Sequence, residues 1–361
     1  MMTSDGGRQG LRPAASRPVK RSQVASEGSK LVAKGLIIGT RGSDLALWQA
    51  RHIQALLGGE AAGVKLQIIK TLGDQLLDIS LQNQIDKGFF TKELEAALLA
   101  GHIDLAVHSL KDLPTENPPG LVLAAVPPRA DCGDVLFVRP ERCDPQRAFP
   151  VQPGATVGTA SLRRSALLAC YAPQAQAAFL RGNVPTRLGK AKSGDLDAVV
   201  LARAGVARLG LDLGDLLAFD LHPQVWLPAA GQGALGIQCR HGDAALLAQL
   251  AQLADPASAQ AVAIEREVLQ RMEGGCHSPF GALAVIDAAT VTAPARGTVT
   301  VHAGAIDAAN RWLTVQVQGP APTIAAQAER ALRQILRGDA GDRSSSPPAE
   351  FAWALPARPW S

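Results

Sequence analysis

Twice in this chain a short apolar run ends in a small polar loop that leads straight into a helix. That repeated unit limits the fold more than any other feature. In the first copy, Leu36-Ile37-Ile38-Gly39-Thr40 reads as a buried strand and Arg41-Gly42-Ser43-Asp44 as the loop. Leu45, Trp48, Ile53 and Leu56 then recur at helical spacing, with Ser43 or Asp44 able to cap. In the second copy, Thr156-Val157-Gly158-Thr159 leads through Ala160-Ser161 into a helix from Leu162 to Ala169. Strands that alternate with helices build parallel sheets, and ligands collect beyond the carboxyl ends of such strands. A chain of 361 residues has room for two or three domains of this kind.

Further elements fit the same frame. Val64 to Thr71 alternates as a strand, Thr91 is placed to cap a helix from Lys92 to Ala100, and Asp104 to Leu110 is a strand ended by Lys111-Asp112-Leu113-Pro114. Between them, Leu72 to Gly88 is polar and aperiodic, and a loop of that length reads as a lid. A second unit begins near Val135. In it Asn183 caps a helix with Pro185 in its first turn, Asp197 to Leu201 is a strand, and Ala204 to Leu209 a helix. The C-terminal part predicts a helix over Ala261–Met272, strands at Leu283–Val285, Val299–Ala303 and Leu313–Val317, and a helix over Ile324–Leu336. That is an α+β pattern with a small antiparallel sheet.

The arginines carry the first functional signal. Arg163 and Arg164 occupy the first turn of a helix, where the helix dipole disfavours cations. Arg41, Arg181, Arg187 and Arg208 also lie near strand ends or helix starts. A solvated face would scatter arginines along helix exteriors. Convergence at helix starts instead suits a small polyanion, a polycarboxylate or a phosphate, held by bidentate guanidinium forks.

The net charge of +4 does not point to nucleic acid. Residues 1–34 carry +5 in a Gly-, Ser- and Pro-rich tail, and the remainder sums to −1. The tail reads as a disordered basic extension, with a transit peptide left open, and residues 339–361 as a second loose tail. No apolar run reaches the length of a membrane span. Cys132, Cys143, Cys170, Cys239 and Cys276 are spaced for neither a zinc site nor a disulfide framework, which suggests a reducing cytoplasm. Gly231-Gln232-Gly233-Ala234-Leu235-Gly236 matches a dinucleotide fingerprint in letters only. A strand follows it rather than a helix, so a Gly-rich crossing between domains fits better. Cys276 sits in Glu273-Gly274-Gly275-Cys276-His277-Ser278-Pro279, a composition that places its thiol on a loop open to chemistry.

Together these stretches resemble the hydroxymethylbilane synthase (porphobilinogen deaminase) family from about Leu36 to Leu336. The matching segments are Gly39-Thr40-Arg41 with Leu45 to Gln49, Val107 to Pro114, Ser161-Leu162-Arg163-Arg164, Arg181-Gly182-Asn183, Gly231 to Ala234, and Glu273 to Cys276. The resemblance implies an α/β fold: two periplasmic-binding-protein-like α/β domains and a small C-terminal α+β domain. The expected division is domain 1 over 35–131 and 231–251, domain 2 over 132–230, and domain 3 over 252–338. It further implies a cytoplasmic, monomeric transferase of tetrapyrrole and heme biosynthesis. Four porphobilinogen molecules would be joined head to tail, with loss of ammonia, on a dipyrromethane cofactor bound through a thioether to Cys276. Each pyrrole bears an acetate and a propionate, so the growing chain is a polycarboxylate that suits the arginine set. Asp112 is the implied catalytic residue, a carboxylate able to stabilise the cations formed on deamination and coupling. Arg41, Ser43, Lys87, Ser109, Lys111, Thr159, Ser161, Arg163, Arg164, Arg181, Arg187 and Arg208 are the implied binding residues. No metal, nucleic acid or membrane is implied.

Ala160 stands where the family usually has Ser, and removes one hydroxyl contact. Two rival readings remain. A solute-binding protein would share the two-lobed fold, but would carry an export signal and needs no cysteine loop. A cysteine hydrolase would need a His base and an orienting group beside Cys276, and His277 is too close in sequence for that role.

Overall fold

The computed structural model describes residues 35–71, 91–272, 279–287 and 298–338. Lys87, Cys276, the whole Leu72–Gly88 segment expected to be a lid and both tails lie outside the described residues.

The first sheet contains β1 (Ile37–Thr40), β2 (Lys65–Ile68), β3 (Leu105–Ser109), β4 (Leu121–Ala125) and a late strand, β10 (Leu235–Arg240), in the order β2-β1-β3-β10-β4. β1 runs parallel to β2 and β3, while β10 lies antiparallel between β3 and β4. The second sheet contains β5 (Asp134–Val138), β6 (Thr156–Thr159), β7 (Gln176–Phe179), β8 (Ala198–Ala202) and β9 (Leu217–Leu221), in the order β7-β6-β8-β5-β9. Here β6 is parallel to β7 and β8, and β5 lies antiparallel between β8 and β9. The two sheets therefore repeat one design. Each has a parallel trio, then one reversed strand, then a last strand held only by the reversed one. The two strand–loop–helix copies read from the sequence occupy matching places, β1 in one sheet and β6 in the other.

The helices of the first lobe are α1 (Asp44–Leu56), α2 (Lys92–Leu99) and α6 (Ala244–Ala251). Those of the second are α3 (Leu162–Tyr171), α4 (Val184–Lys192) and α5 (Arg203–Leu209). Covered on both faces, central strands become apolar throughout, and every residue of β5 is buried. β11 (Phe280–Ile286), β12 (Thr298–Ile306) and β13 (Trp312–Pro320) form a three-stranded antiparallel sheet. Against it pack α7 (Pro256–Met272) and α8 (Ala321–Leu336). Its core of Val299, Val301, Ala303, Ile324, Ala328 and Leu332 is separate from the lobe cores. Trp226, fully buried, closes the second-lobe core next to Leu283 and Trp312 of the third sheet.

The chain crosses between lobes twice, over 126–133 and 222–234. The Gly-rich segment forms part of the second crossing and feeds a strand, as its letters predicted. Gly233 is required there. Its φ is +84°, and a Cβ would stand 2.5 Å from the carbonyl oxygen of Ala130 on the first crossing. Glu265 of α7 ties both crossings to the third sheet. It accepts from Arg129 Nη1 at 2.8 Å and Nη2 at 2.9 Å, from the Gly231 amide at 2.8 Å and from the Ala284 amide at 3.0 Å.

One local expectation changes. Thr91 precedes α2 but its side chain makes no capping hydrogen bond. Its backbone is already helical (φ −118°, ψ −24°) rather than in the extended geometry that aims a hydroxyl at the first turn. The strands β4, β5, β7 and β9 and the helix α6 extend the sequence reading.

Candidate functional site

The parallel strands of both sheets point their carboxyl ends at one cleft between the lobes. A cavity of about 80 Å³ lies in it, with Ser109, Lys111, Arg164, Arg187 and Arg208 among its lining. Residues from β3, α3, α4 and α5 thus meet at one place, drawn from both lobes.

On the first lobe, β1 ends at Thr40, and the Ser43 hydroxyl caps α1 by accepting from the Ala46 amide at 3.4 Å. Ser109 closes β3 and accepts from Gln49 Nε2 of α1 at 2.7 Å. A single 3₁₀ turn over Leu110–Asp112 then presents Lys111 and Asp112. Arg266 of α7 holds that turn from behind by donating to the carbonyls of Leu110 at 3.3 Å, Leu113 at 2.9 Å and Pro114 at 2.6 Å. The helix that runs toward Cys276 therefore also fixes the turn that carries Asp112.

Lys111 faces the cleft water yet is crowded by protein. Loss of hydration pushes its ammonium down to about 8, with Asp112 and Asp134 opposing the shift and Arg164 and Arg163 adding to it. Its Nζ donates to Gln232 Oε1 at 3.4 Å, and Gln232 Nε2 donates to Asp134 Oδ1 at 2.7 Å. Asp134 is fully enclosed. It accepts from Arg163 Nη2 at 2.9 Å, Arg164 Nε at 3.0 Å, Arg164 Nη2 at 2.7 Å and the indole of Trp226 at 3.1 Å. Burial alone would raise its pKa. The two guanidinium groups outweigh burial and hold the carboxyl well below the usual range.

One carboxylate thus serves two arginines, and the cleft keeps a positive excess. Arg164 lines the cavity. Arg163 points inward instead, to Asp134 and, at 2.6 Å, to the Leu227 carbonyl. Arg187 donates through Nε to the Gly182 carbonyl at 2.7 Å, and Arg208 through Nη2 to the Gly233 carbonyl at 2.7 Å. Burial lowers the pKa of both, Arg187 further by the charge of Arg164 against that of Asp112, and Arg208 to about 10. Cations that lose hydration without gaining a carboxylate among the described residues are prepared for an anionic ligand.

The other predicted residues lie at the same strand ends. Thr159 ends β6 and its hydroxyl accepts from the Ser161 amide at 3.1 Å, while the Ser161 hydroxyl caps α3 by accepting from the Arg164 amide at 3.4 Å. Arg181 lies 5.4 Å from the centre of the Phe179 ring. Arg41 is close enough to His108 for its charge to matter. Asp112 is exposed, and its charge is felt by Lys111 and Arg187. Lys87 and Cys276 lie outside the described residues. Sequence reasoning passed over Gln49, Asp134 and Gln232. The signal for Asp134 was an acid opening the apolar run Val135 to Val138, a position that demands a buried cation.

The family model described as "Porphobilinogen deaminase, dipyromethane cofactor binding domain" matches residues 36–248, and "Porphobilinogen deaminase, C-terminal domain" matches residues 259–310. The porphobilinogen deaminase of Moorella thermoacetica is 46% identical over 252 residues, which cover 69% of this chain and 79% of that one. The porphobilinogen deaminase of Desulforamulus reducens is 37% identical over 311 residues, covering 84% of this chain and 99% of that one. Among solved structures, an ancestral cationic amino acid solute binding protein aligns with a TM-score of 0.37 and 17% identity over 61% of this chain and 87% of that one. With both family domains matched in order, and a relative covered over nearly its whole length, the chain belongs to the porphobilinogen deaminase family and carries that family's dipyrromethane cofactor-binding domain.

Proposed function

We propose that this protein is a hydroxymethylbilane synthase, a transferase that joins four porphobilinogen molecules head to tail. Each coupling forms one carbon–carbon bond and releases one ammonia, and water releases the finished linear tetrapyrrole. The observation that carries the reading is the cleft itself. Among the described residues, Arg187 and Arg208 lose hydration there with only backbone carbonyls as hydrogen-bond partners, and Arg163 and Arg164 share a single acid. A chain of pyrroles bearing acetate and propionate groups supplies the missing negative charge.

The same cations fit a bound dipyrromethane, whose side chains are also carboxylates. Ser109, Thr159, Ser161 and Arg164 would hold it, and Arg163 contributes through the fixed position of Asp134. Arg41, Ser43, Lys87, Lys111, Arg181, Arg187 and Arg208 are assigned to the incoming substrate and the growing chain, and Cys276 to the thioether anchor. When bound, that group supplies the nucleophilic pyrrole carbon from which the chain starts. Asp112, exposed at the mouth, stabilises positive charge on the substrate ring as its amino group leaves, and accepts the proton lost after coupling. Lys111, while protonated, pairs with a carboxylate.

The proposed domains are 35–131 with 231–251, 132–230, and 252–338. The reading makes the protein a cytoplasmic monomer of heme biosynthesis. No helix among the described residues is long and apolar enough to cross a membrane. Intact-protein mass spectrometry tests the whole assignment. The active protein should exceed its sequence mass by one dipyrromethane, located on Cys276 by peptide mapping, and Cys276→Ser should carry none. An active protein without the increment, or with it on another cysteine, would sink the assignment.

A further inference from the structure

Arg208 belongs to the second lobe, yet its guanidinium lies over an aromatic ring of the first. Its Cζ lies 5.6 Å from the centre of the Trp48 indole, which projects from α1. His52, one turn further along α1, stacks with the same indole, with ring centroids 5.2 Å apart and planes 9° from parallel. α1 and α5 pack against each other at this point, and a Cβ placed on Gly205 would meet Leu45 Cδ2 at 3.7 Å. On the cleft side, Arg208 Nη2 donates to the Gly233 carbonyl at 2.7 Å. Among the described residues no carboxylate pairs with it, and burial lowers its pKa.

We propose that Trp48 is a positioning residue: its indole face, presented by one lobe, holds the Arg208 guanidinium of the other, so that carboxylate capture by Arg208 depends on how the lobes stand. An aromatic ring attracts a guanidinium through the cation's flat face and leaves its edge N–H donors unspent. A carboxylate needs that edge for a two-point fork. The contact with Trp48 therefore orients Arg208 for an anion without competing for its donors, which an acidic partner would do. It also makes Arg208 a reporter of lobe separation. If α1 and α5 drew apart, the guanidinium would lose its aromatic support and keep only the Gly233 carbonyl. The inference rests on the reading of the cleft as a polycarboxylate site.

The test compares Trp48→Leu and Trp48→Phe with wild type. Trp48→Leu should raise the KM for porphobilinogen about three- to thirtyfold, the range of a cation–π contact, and change kcat less. Trp48→Phe should retain most of the wild-type KM. Trp48→Leu combined with Arg208→Met should be no worse than Arg208→Met alone, because the neutral side chain already removes the contact. A second readout does not use turnover: the rate at which phenylglyoxal labels Arg208, followed by peptide mass, should rise in Trp48→Leu. Wild-type KM and labelling in Trp48→Leu, or equal impairment in the Leu and Phe variants, would overturn the proposal. Should Trp48→Leu not fold, Trp48→Phe carries the test alone, because a phenyl face holds a cation more weakly than indole. Its Arg208 must then label faster than wild type, and an unchanged rate overturns the proposal. Hydroxymethylbilane production by wild type is measured alongside. Its absence would sink the proposed function, whereas the labelling comparison judges Trp48 on its own.

Discussion

Replacing Asp134 by Asn is the most informative single change, because it keeps the shape of the side chain and removes only its charge. Arg163 Nη2, Arg164 Nε and Nη2, Trp226 Nε1 and Gln232 Nε2 all donate to that carboxylate. An amide offers one acceptor oxygen and turns an NH2 toward the remaining donors. Arg163 and Arg164, each 5% exposed, would then be buried beside no negative charge. Removing one partner from a buried ion pair costs about 3–5 kcal/mol. At about 2–4 °C per kcal/mol, the thermal midpoint should fall by roughly 6–20 °C. Asp220→Asn is the control. That acid pairs with Arg203 at 2.6 Å, but both side chains are about a third exposed (31% and 32%), and the loss should stay within about 1 kcal/mol. Calorimetry on the two variants and wild type measures the difference. A midpoint for Asp134→Asn no lower than that of Asp220→Asn would refute the view that this carboxylate balances two buried cations.

Three further outcomes follow from the same geometry. Asp112→Asn should fold and retain its cofactor mass while kcat falls on the order of a hundredfold or more, and undiminished turnover would remove Asp112 from the chemistry. Burial pushes the pKa of His108 down to about 4, with Arg41 adding and the Gln238 contact opposing. The unfolded chain therefore binds more protons, and stability should drop by up to about 3 kcal/mol as pH falls from about 6.5 to 4. His108→Gln should flatten that slope in urea titrations across pH, and an identical slope would count against it. Lys111 is charged only below about 8, so KM for porphobilinogen should climb as pH rises through that value. Lys111→Arg should move that limb to higher pH, and an unmoved limb would show that another group sets it.

The first lobe was legible because its strand–loop–helix unit carries its information locally. Ile37–Thr40, the Ser43 cap and the apolar spacing of α1 name their own structure. Arg164 and Arg187 were legible because cations in the first turn of a helix violate a local preference, whereas Arg208 stands in the last turn of α5, where the dipole favours a cation, and not near a helix start as its sequence suggested. Strands such as β5 and β9 were not, since their burial on both faces comes from the reversed pairing with strands 60–90 residues away and leaves no alternation. The inward turn of Arg163 was hidden for the same reason. Its partner Asp134 precedes it by 29 residues and meets it only through the sheet. Nor could the sequence relate Trp48 to Arg208, whose contact exists only because two separate lobes face each other.

The place of β10 has a consequence for synthesis on the ribosome. β10 lies between β3 and β4 in the first sheet, but it is made after the whole of the second sheet. Until then β4 has no strand to pair with. At about 5–20 residues per second, the interval between translating Ala125 and Leu235 is roughly 5–20 seconds. The inserted lobe, contiguous from Asp134 to Leu221, can close its sheet during that time. The lobe that begins first therefore finishes last. A chain cut short before Leu235 would leave a complete second sheet beside a first one with an unpaired edge, the form of nascent chain that chaperones bind and that aggregates when they do not.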